Sequence, residues 1–178
     1  MNTTRGGIVT GWGISVPDKV VTNDDLSVTM DTNDAWIRER TGIRERHIGG
    51  TTSQLAIEAG LAALEKAGRR PDEIDAVILA TTTPDQIVPG TSATVQDGIG
   101  GRGVTVNTSG GLVGRGHPLG ATGIAQVVEL SAQLRGRAGP RQVEGARLAV
   151  AANTGGMIGT EAGRADAAFI GIHVLEAG

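Results

Sequence analysis

The chain has 178 residues, which is enough for one domain with a sizeable core but short for two. It carries 16 Lys and Arg against 19 Asp and Glu, a net charge of -3 with no basic block, so we expect no nucleic acid partner. It contains no cysteine, which excludes disulfides, thiolate metal sites and a cysteine nucleophile within these residues. With 29 Gly, 1 Phe, 2 Trp and no Tyr, the core is expected to consist of Ala, Val, Ile and Leu.

Two further classes of site are not expected. No apolar run approaches the length of a membrane span, and the N-terminus lacks the apolar core of a signal peptide. We therefore expect a cytoplasmic protein without a membrane partner. The three histidines, His47, His117 and His173, lack the short spacing of metal ligands, so neither a metal site nor a permanently bound cofactor is predicted.

The first predicted strand spans 7–16, where β-branched and apolar residues precede Pro17. Asn23 can cap one short helix, and the polar run 31–34 can cap a second that begins near Ala35.

On and just beyond the second helix lie one tryptophan and three arginines: Trp36, Arg38, Arg40 and Arg44. An indole can stack on a nucleotide base while guanidinium groups contact phosphates. The same pattern also fits a tryptophan that anchors a surface helix among ordinary ion pairs with neighbouring glutamates. Residue types alone leave both interpretations open.

The segments 19–26 and 31–48, the second of which contains WIRERTGIRERHI, resemble the N-terminal part of β-ketoacyl-acyl-carrier-protein synthase III. The resemblance runs from about residue 7 to residue 100. In that family the residues that match Thr32, Trp36 and Arg40 lie along the entrance for coenzyme A and the acyl-carrier protein. The resemblance therefore implies that these three residues bind the coenzyme.

Regular elements are predicted between residues 51 and 98. Apolar residues at helical spacing predict a helix over 51–68. The run AVILA within 75–82 is typical of a buried parallel strand, and 91–98 predicts a short helix. The glycine-rich run GIGGRG at 98–103 follows, and we place the junction between two segments there.

The stretch 104–123 is the organising feature of the second half. Residues 104–106 predict a short buried strand, 107–116 are too rich in glycine for regular structure, and helical spacing resumes at Leu119. His117 therefore lies at the start of a helix, whose N-terminal N–H groups and positive dipole end favour an anion or a developing oxyanion. The same dipole disfavours an imidazolium, so the neutral ring can act as a base or a donor; the alternative is a histidine that only caps a turn.

The motifs NTSGG at 107–111 and GRGHPLGATG at 114–123 resemble the C-terminal active-site signature of sterol-carrier-type and lipid-transfer-type thiolases. The resemblance covers about residues 103–178. It implies that His117 is catalytic and that Asn107 can orient a water or ligand, although a strand-ending turn residue would also explain Asn107.

The remaining elements complete the order of the chain. Ile124, Val127, Val128, Leu130 and Leu134 predict a broad apolar helix face. A buried strand is predicted over 147–152, a glycine-rich connection over 154–163 and a final strand over 167–175, on which His173 is interpreted as a hydrogen-bonded structural histidine.

The core order is β-α-β-α-β-α-β-β, a mixed five-stranded α/β sheet that corresponds to one thiolase-like half-unit. We expect a single domain over 1–178, with a synthase III-like segment at 1–100 and a thiolase-like segment at 101–178. The resemblance implies two such units per fold, so a homodimer is expected to complete it. The alternative is a merged or truncated fragment.

Both related families perform Claisen chemistry through an acylated cysteine, which this chain lacks. Where thiolases place a Cys or His near the C-terminus, this chain has Ala152, with Asn153 as the nearest polar residue. Ser109 has no visible His-Asp pair to activate it. Two functions stay open: an acyltransferase-type protein of fatty-acid metabolism that acts on acyl-CoA or acyl-carrier thioesters without normal condensing activity, or a non-catalytic coenzyme A-binding or scaffold dimer. Whether the chain is an enzyme is left undecided.

Overall fold

A five-stranded mixed sheet forms the centre of the computed structural model, which describes residues 7–85, 90–101, 103–118, 120–159 and 165–178. Val113, 155–159 and 165–169 are described by their backbone only. The strands are β1 (Gly7–Ser15), β2 (Lys19–Thr22), β3 (Glu45–Ile48), β4 (Ala76–Ala80), β5 (Thr105–Val106), β6 (Leu148–Gly159) and β7 (Ala165–Ala177). In the large sheet the order is β1-β7-β6-β4-β5. β7 runs antiparallel to both of its neighbours, and β4 runs parallel to β5 and β6.

Six α-helices are seen in the described residues. They are α1 (Asn23–Ser27), α2 (Asp34–Thr41), α3 (Thr52–Ala67), α4 (Thr91–Gly98), α5 (Gly111–Arg115) and α6 (Thr122–Leu134). The predicted core order is confirmed as β1-α3-β4-α4-β5-α6-β6-β7, and the predicted mixed five-stranded sheet is confirmed with it.

The two segments on either side of the predicted junction interleave in this sheet. β1 and β4 come from the first segment, whereas β5, β6 and β7 come from the second. β4 lies between β5 and β6, and β1 pairs with β7. The backbone N–H groups of Arg147 and Leu148 both donate to the Asp75 carboxylate, at 2.6 and 2.9 Å. Neither segment could form this sheet alone.

Several element predictions were wrong in their extent. The final two strands are longer than predicted, because antiparallel pairing of β6 with β7 continues to Gly159 opposite Ala165. The predicted connection over 154–163 is therefore largely strand, and its residues 160–163 lie outside the described residues. Glycine ordinarily weakens the interior of a strand, but pairing with β7 keeps these residues in β6, so the Gly-rich composition misled the prediction.

Three local features also differ from expectation. The strands β2 and β3 pair as an antiparallel ladder that the sequence analysis did not predict. The glycine-rich run 107–116 contains the short helix α5. The long helix after it begins at Thr122, and Leu119 lies outside the described residues.

One face of the sheet is covered by α3 and α4 with small and aliphatic side chains. Ala56, Ala59 and Ala63 of α3 are fully buried. The helix approaches β1 so closely that a Cβ on Gly13 would lie 2.1 Å from the Ala59 carbonyl oxygen, and one on Gly11 would lie 2.3 Å from that of Ala63. These glycines permit contact between helix and strand backbones.

The opposite face is covered by α6. Leu130 and Leu134 pack there against Ile78, Ala149 and Ala151 of the sheet. The predicted apolar face of α6 is only partly confirmed, because two of its members point outward. Ile124 is 68% exposed and Val128 is 62% exposed. Four polar residues of the same helix are buried instead: Thr122, Gln126, Glu129 and Gln133.

Candidate functional site

The first cluster of candidate residues lies on α2. The side chain of Asn33 caps the helix by accepting from the Trp36 N–H at 2.9 Å, and Gly42 ends it in the left-handed conformation. Trp36 and Arg40 are spaced by four residues on α2, so they lie on one side of the helix. Thr32 precedes the Asn33 cap and lies outside the helix. The structure thus brings together two of the three residues predicted to bind the coenzyme, and their role in binding stays a prediction.

Asn23 holds this helix in place. Its amide donates to the Asp34 carboxylate at 2.8 Å and to the Ile43 carbonyl at 2.9 Å, and its oxygen accepts from Arg46 at 2.7 Å. Asn23 is 1% exposed, so these bonds are shielded from water. The residue predicted as a helix cap is instead a link between α1, α2 and β3, and Thr22 caps α1.

Trp36 and Arg40 contact each other on the exposed side of α2. The Arg40 guanidinium carbon lies 4.5 Å from the centroid of the half-exposed indole, within the range of a cation–π contact. A base cannot fit between groups at this distance, so a stacked ligand must displace Arg40 or use the other indole face. The Thr32 hydroxyl oxygen is buried and has no hydrogen-bond partner among the described residues.

The charges around α2 are partly paired. The hydrogen bond from Asn23 lowers the pKa of Asp34, and the hydrogen bond and charge of Arg38 and the charge of Arg44 lower it further against the opposing effect of burial. Arg38 lies 3.3 Å from Asp34, and Arg40 lies 3.8 Å from Glu39. Both ion pairs are exposed and therefore weak, so their arginines can turn toward an anionic ligand.

The second cluster lies where the parallel strands β4, β5 and β6 end. Asn107 directly follows β5 and has a φ of 50°, a left-handed conformation that Asn tolerates. Its side-chain oxygen accepts from the Leu79 N–H at 3.0 Å, and its own N–H donates to the Val77 carbonyl at 3.0 Å. Asn107 is thus a strand-ending turn residue, and its side chain adds one hydrogen bond to β4 beyond the end of β5. Its catalytic role stays a prediction.

The residues after Asn107 are tied to α6 by a polar network. Thr108 donates to Glu129 at 3.4 Å, and Gln133 donates to Thr108, Glu129 and the Arg141 carbonyl at 3.2, 3.2 and 2.8 Å. Arg141 donates to Glu129 at 3.1 Å. This network fixes the glycine-rich loop against the helix.

Glu129 is ionised within this network. Burial opposes its charge, but hydrogen bonds from Arg141 and Gln133 and the charges of Arg141 and Arg115 outweigh burial and lower its pKa. Ser109 receives no such support, because its hydroxyl oxygen is buried without a partner among the described residues. Nothing in the described part of the chain activates Ser109 as a nucleophile.

His117 lies half-buried between α5 and α6. Its Nδ1 is 2.8 Å from the hydroxyl oxygen of Thr122, and that hydroxyl also lies 3.2 Å from the Pro118 carbonyl oxygen. The Nε2 atom has no hydrogen-bond partner among the described residues. The ring is therefore held at one nitrogen and available at the other.

Two buried amide oxygens close to the start of α6 have no partner among the described residues: those of Gln126 and Asn153. Gln126 is 0% exposed and donates to the Ala152 carbonyl at 2.7 Å. The Asn153 amide nitrogen lies 3.6 Å from the position of a Cβ on Gly123, which places Asn153 beside the first turn of α6. Sequence reasoning missed Thr122 and Gln126, although the spacing of Gln126, Glu129 and Gln133 marks a polar stripe on an apolar helix.

The other two histidines are placed differently from His117. His47 Nδ1 lies 2.6 Å from the Pro17 carbonyl oxygen. The interpretation of His173 as a satisfied structural histidine was wrong, because it is exposed on β7 and has no hydrogen bond among the described residues. It projects from the sheet on the side opposite the buried Ile172 and Val174, where α6 leaves it uncovered.

The two candidate clusters are separate in their bonding. Across the described ranges, no hydrogen bond or ion pair joins α2 to the loop that carries His117. In the same part of the chain, no group of three His, Asp or Glu side chains is arranged to hold a metal ion. No helix within these ranges has the length and apolar character needed to cross a membrane.

Comparison with known proteins finds similarity to two kinds of protein. Residues 90–163 match the family described as thiolase C-terminal domain-like. The chain is 55% identical over 97 residues to β-ketoacyl-[acyl-carrier-protein] synthase III of Roseiflexus sp. (strain RS-1), which covers 53% of this chain and 30% of that protein. It is 51% identical over 100 residues to synthase III 3 of Streptomyces coelicolor, which covers 54% of this chain and 30% of that protein. The chain thus spans about a third of the curated relatives it matches.

Solved structures match nearly the whole chain. The 3-oxoacyl-[acyl-carrier-protein] synthase III of Aquifex aeolicus VF5 matches 96% of this chain and 54% of its own with a TM-score of 0.74 at 26% identity. The corresponding synthase of Pseudomonas aeruginosa PAO1 matches 98% of this chain and 52% of its own with a TM-score of 0.73 at 27% identity. The chain therefore has a thiolase-like α/β fold, and both sequence resemblances are confirmed.

Identity falls from 55% over 97 residues to 26% over 96% of the chain. Synthase III therefore resembles part of this chain closely in sequence and nearly all of it in fold. The division at about residue 100 stays a prediction.

Proposed function

We propose that this chain binds acyl-CoA or acyl-carrier thioesters along α2 and that His117 is the group available for chemistry on the thioester. The proposal includes a place in cytoplasmic fatty-acid metabolism. The observation that carries it is the contact between Trp36 and Arg40 on the exposed side of α2. The 55% identity with a protein named as a synthase III supports it.

The binding step follows from the geometry of α2. The nucleotide base stacks on the indole of Trp36 once Arg40 moves from its 4.5 Å contact, and the freed guanidinium pairs with phosphate oxygens. Thr32 precedes the helix and its hydroxyl is buried, so its proposed contact with the coenzyme requires the hydroxyl to become exposed. Arg38 and Arg44 add positive charge nearby.

The chemical step is limited by the absence of cysteine. These residues cannot carry an acyl group on a thiolate, so condensation by that route is not proposed for the chain by itself. We propose slow hydrolysis instead: His117 takes a proton from water, and the water oxygen adds to the thioester carbonyl. The C–S bond then breaks, and the His117 imidazolium returns the proton to the leaving sulfur, which releases a thiol and a carboxylic acid.

Binding is tested by titrating coenzyme A into a Trp12→Phe variant, in which Trp36 is the remaining tryptophan. We expect a saturable change in its fluorescence. By calorimetry, Trp36→Ala should weaken binding roughly tenfold, the equivalent of one lost base stack, whereas Trp12→Phe should bind like the native chain. Equal affinity of Trp36→Ala and the native chain would contradict the proposed site.

Hydrolysis is tested by measuring thiol release from acetyl-CoA. The chain has no cysteine, so every thiol detected comes from the substrate. His117→Ala should abolish the release while leaving the affinity for coenzyme A unchanged. His173→Ala is the matched control, since that imidazole is exposed on a different element and should be dispensable.

A second candidate is a non-catalytic coenzyme A-binding or scaffold protein that forms a homodimer. It is favoured by the exposed apolar side chains of α6 and of the edge strand β1, namely Ile124, Val128, Trp12 and Ile14. Light-scattering mass measured with and without coenzyme A tests the dimer, and a stable monomer would exclude it. Binding without His117-dependent hydrolysis would select this second function.

A further inference from the structure

We infer that Thr122 fixes the tautomer of His117, with the proton on Nδ1 and the lone pair on Nε2. Thr122 is a positioning residue in this inference, which rests on the proposed function because it specifies which nitrogen of His117 acts as the base. The observation behind it is a chain of two hydrogen bonds, from the ring through the Thr122 hydroxyl to the Pro118 carbonyl.

The donor and the acceptor in each of these two hydrogen bonds follow from the groups that carry a proton. The Pro118 carbonyl oxygen can only accept, so the hydroxyl proton of Thr122 is the one shared with it across 3.2 Å. A hydroxyl has one proton, so its oxygen must then accept from the ring nitrogen 2.8 Å away. Thr122 is 4% exposed, which leaves little access for a water that could replace either bond.

The consequence concerns the free nitrogen. A neutral imidazole with its proton on Nδ1 has an unshared pair on Nε2, and the bond made by one nitrogen determines the role of the other. Because Nε2 has no partner among the described residues, its lone pair is available to a proton of the substrate or of water. The Nδ1–H group donates to the Thr122 hydroxyl oxygen, so the imidazole ring cannot flip without breaking this hydrogen bond.

The other two histidines of the protein, His47 and His173, serve as internal references for the test. His47 Nδ1 faces the Pro17 carbonyl at 2.6 Å and must donate, because a carbonyl has no proton to give. His173 is exposed and has no hydrogen bond among the described residues, so it should adopt the Nε2–H form that a free imidazole prefers. The three histidines should therefore show two patterns, with His117 matching His47.

The experiment is a two-bond proton–nitrogen correlation spectrum of the ¹⁵N-labelled full chain, at a pH where the imidazoles are neutral. Single His→Gln variants assign the three rings. In the native chain we expect His117 Nδ1 to resonate in the protonated range and Nε2 in the unprotonated range. Thr122→Val keeps the side-chain shape but removes the acceptor, so the two His117 nitrogens should exchange their ranges. Thr122→Ser should restore the native pattern.

Two results would overturn the inference: an Nε2–H pattern for His117 in the native chain, or an unchanged pattern in Thr122→Val. The His47 resonances in each variant report whether the fold is retained. If Thr122→Val does not fold, the native and Thr122→Ser spectra still decide the tautomer. A confirmed tautomer without thioester hydrolysis would refute the proposed function alone, because the spectra require no substrate.

Discussion

The helices α3 and α6 cover opposite faces of the same sheet, yet they bury opposite kinds of side chain. α3 places alanines and leucines against the sheet and lies on a strand whose glycines permit backbone contact. α6 buries Gln126, Glu129 and Gln133 and exposes Ile124 and Val128. α3 therefore stabilises the fold by apolar packing. α6 also buries polar side chains, and these form hydrogen bonds that hold a loop in place.

This difference indicates where function is expected. Buried polar networks cost desolvation energy unless every member is satisfied, so a helix that carries one is constrained by more than packing. The network of α6 fixes the loop before His117, and Thr122 at its first turn contacts the His117 ring. On the α3 side, by contrast, the sheet contacts mainly aliphatic side chains.

The largest loss of stability is expected from a substitution where α3 contacts β1. Gly13→Ala would place a Cβ 2.1 Å from the Ala59 carbonyl oxygen and 2.8 Å from the Ala63 nitrogen, so helix and strand must separate. We expect a loss of about 3 kcal/mol or more in the free energy of unfolding, measured by urea denaturation. Gly171→Ala is the control, because a Cβ there meets nothing within 4 Å, and it should cost far less.

The next largest effect is expected in the α6 network. Gln133→Leu leaves the Arg141 carbonyl and the Val143 N–H without their partners, which lie at 2.8 and 2.7 Å in the native chain. We expect a loss of about 2 kcal/mol, since each unpaired buried group costs roughly 1–3 kcal/mol. Gln54→Leu on α3 is the matched control and should change stability by less than about 0.5 kcal/mol, because Gln54 is exposed. Equal losses would contradict the contrast between the helices.

A smaller loss of stability is expected when Glu129 is replaced by Gln. Its hydrogen bonds to Arg141 and Gln133 outweigh burial and lower its pKa in the folded chain below the ordinary value of 4.5. Such a group stabilises the fold above its unfolded pKa, and this stabilisation is lost as the pH falls through its folded pKa. Glu129→Gln should cost about 1 kcal/mol at neutral pH, because the Arg141 guanidinium is half-exposed.

Unfolding measured between pH 7 and pH 3 checks this pH dependence. The native chain should lose stability on acidification more steeply than Glu129→Gln. Other carboxylates with a lowered pKa, such as Glu58 on α3, contribute to both slopes and cancel in the difference. Parallel curves for the two proteins would show that Glu129 does not stabilise the fold through its charge.

Much of the fold was predictable because local patterns and tertiary packing agree. The run AVILA is buried on both faces, and the helix over 51–68 has a continuous apolar side, so both were identified within two residues of their ends. The β2–β3 ladder was missed because its strands lie far apart in sequence and have four residues each. Glycines in β6 suggested a connection, although its pairing partner β7 makes it a strand.

The candidate site was less predictable than the fold. Trp36 and Arg40 were singled out through the resemblance to synthase III and His117 through its glycine-rich motif, and their roles stay predictions. Thr122 was missed because its contact with the ring depends on how the backbone N–H groups of Ala121 and Thr122 bond to the Pro118 carbonyl, which composition does not specify. His173 was misinterpreted because a strand pattern does not show whether a helix covers that strand.

The smallest effect on the folded chain is expected at the outer side of α6, and it tests why that side is apolar. Ile124→Ser combined with Val128→Ser should change the free energy of unfolding of the monomer by less than about 0.5 kcal/mol, because both residues are more than half exposed. Leu130→Ala on the inner side of the same helix should cost about 2–5 kcal/mol, because Leu130 is 0% exposed.

If a second copy covers Ile124 and Val128, their substitution acts on assembly instead of on the monomer. The unfolding midpoint of the native chain should then rise with protein concentration, since association stabilises only the folded state. In the double Ser variant this dependence should disappear, and the light-scattering mass should fall to that of one chain. A midpoint independent of concentration in both proteins would mean that no second copy binds this face. The apolar side of α6 would then need another partner to explain it.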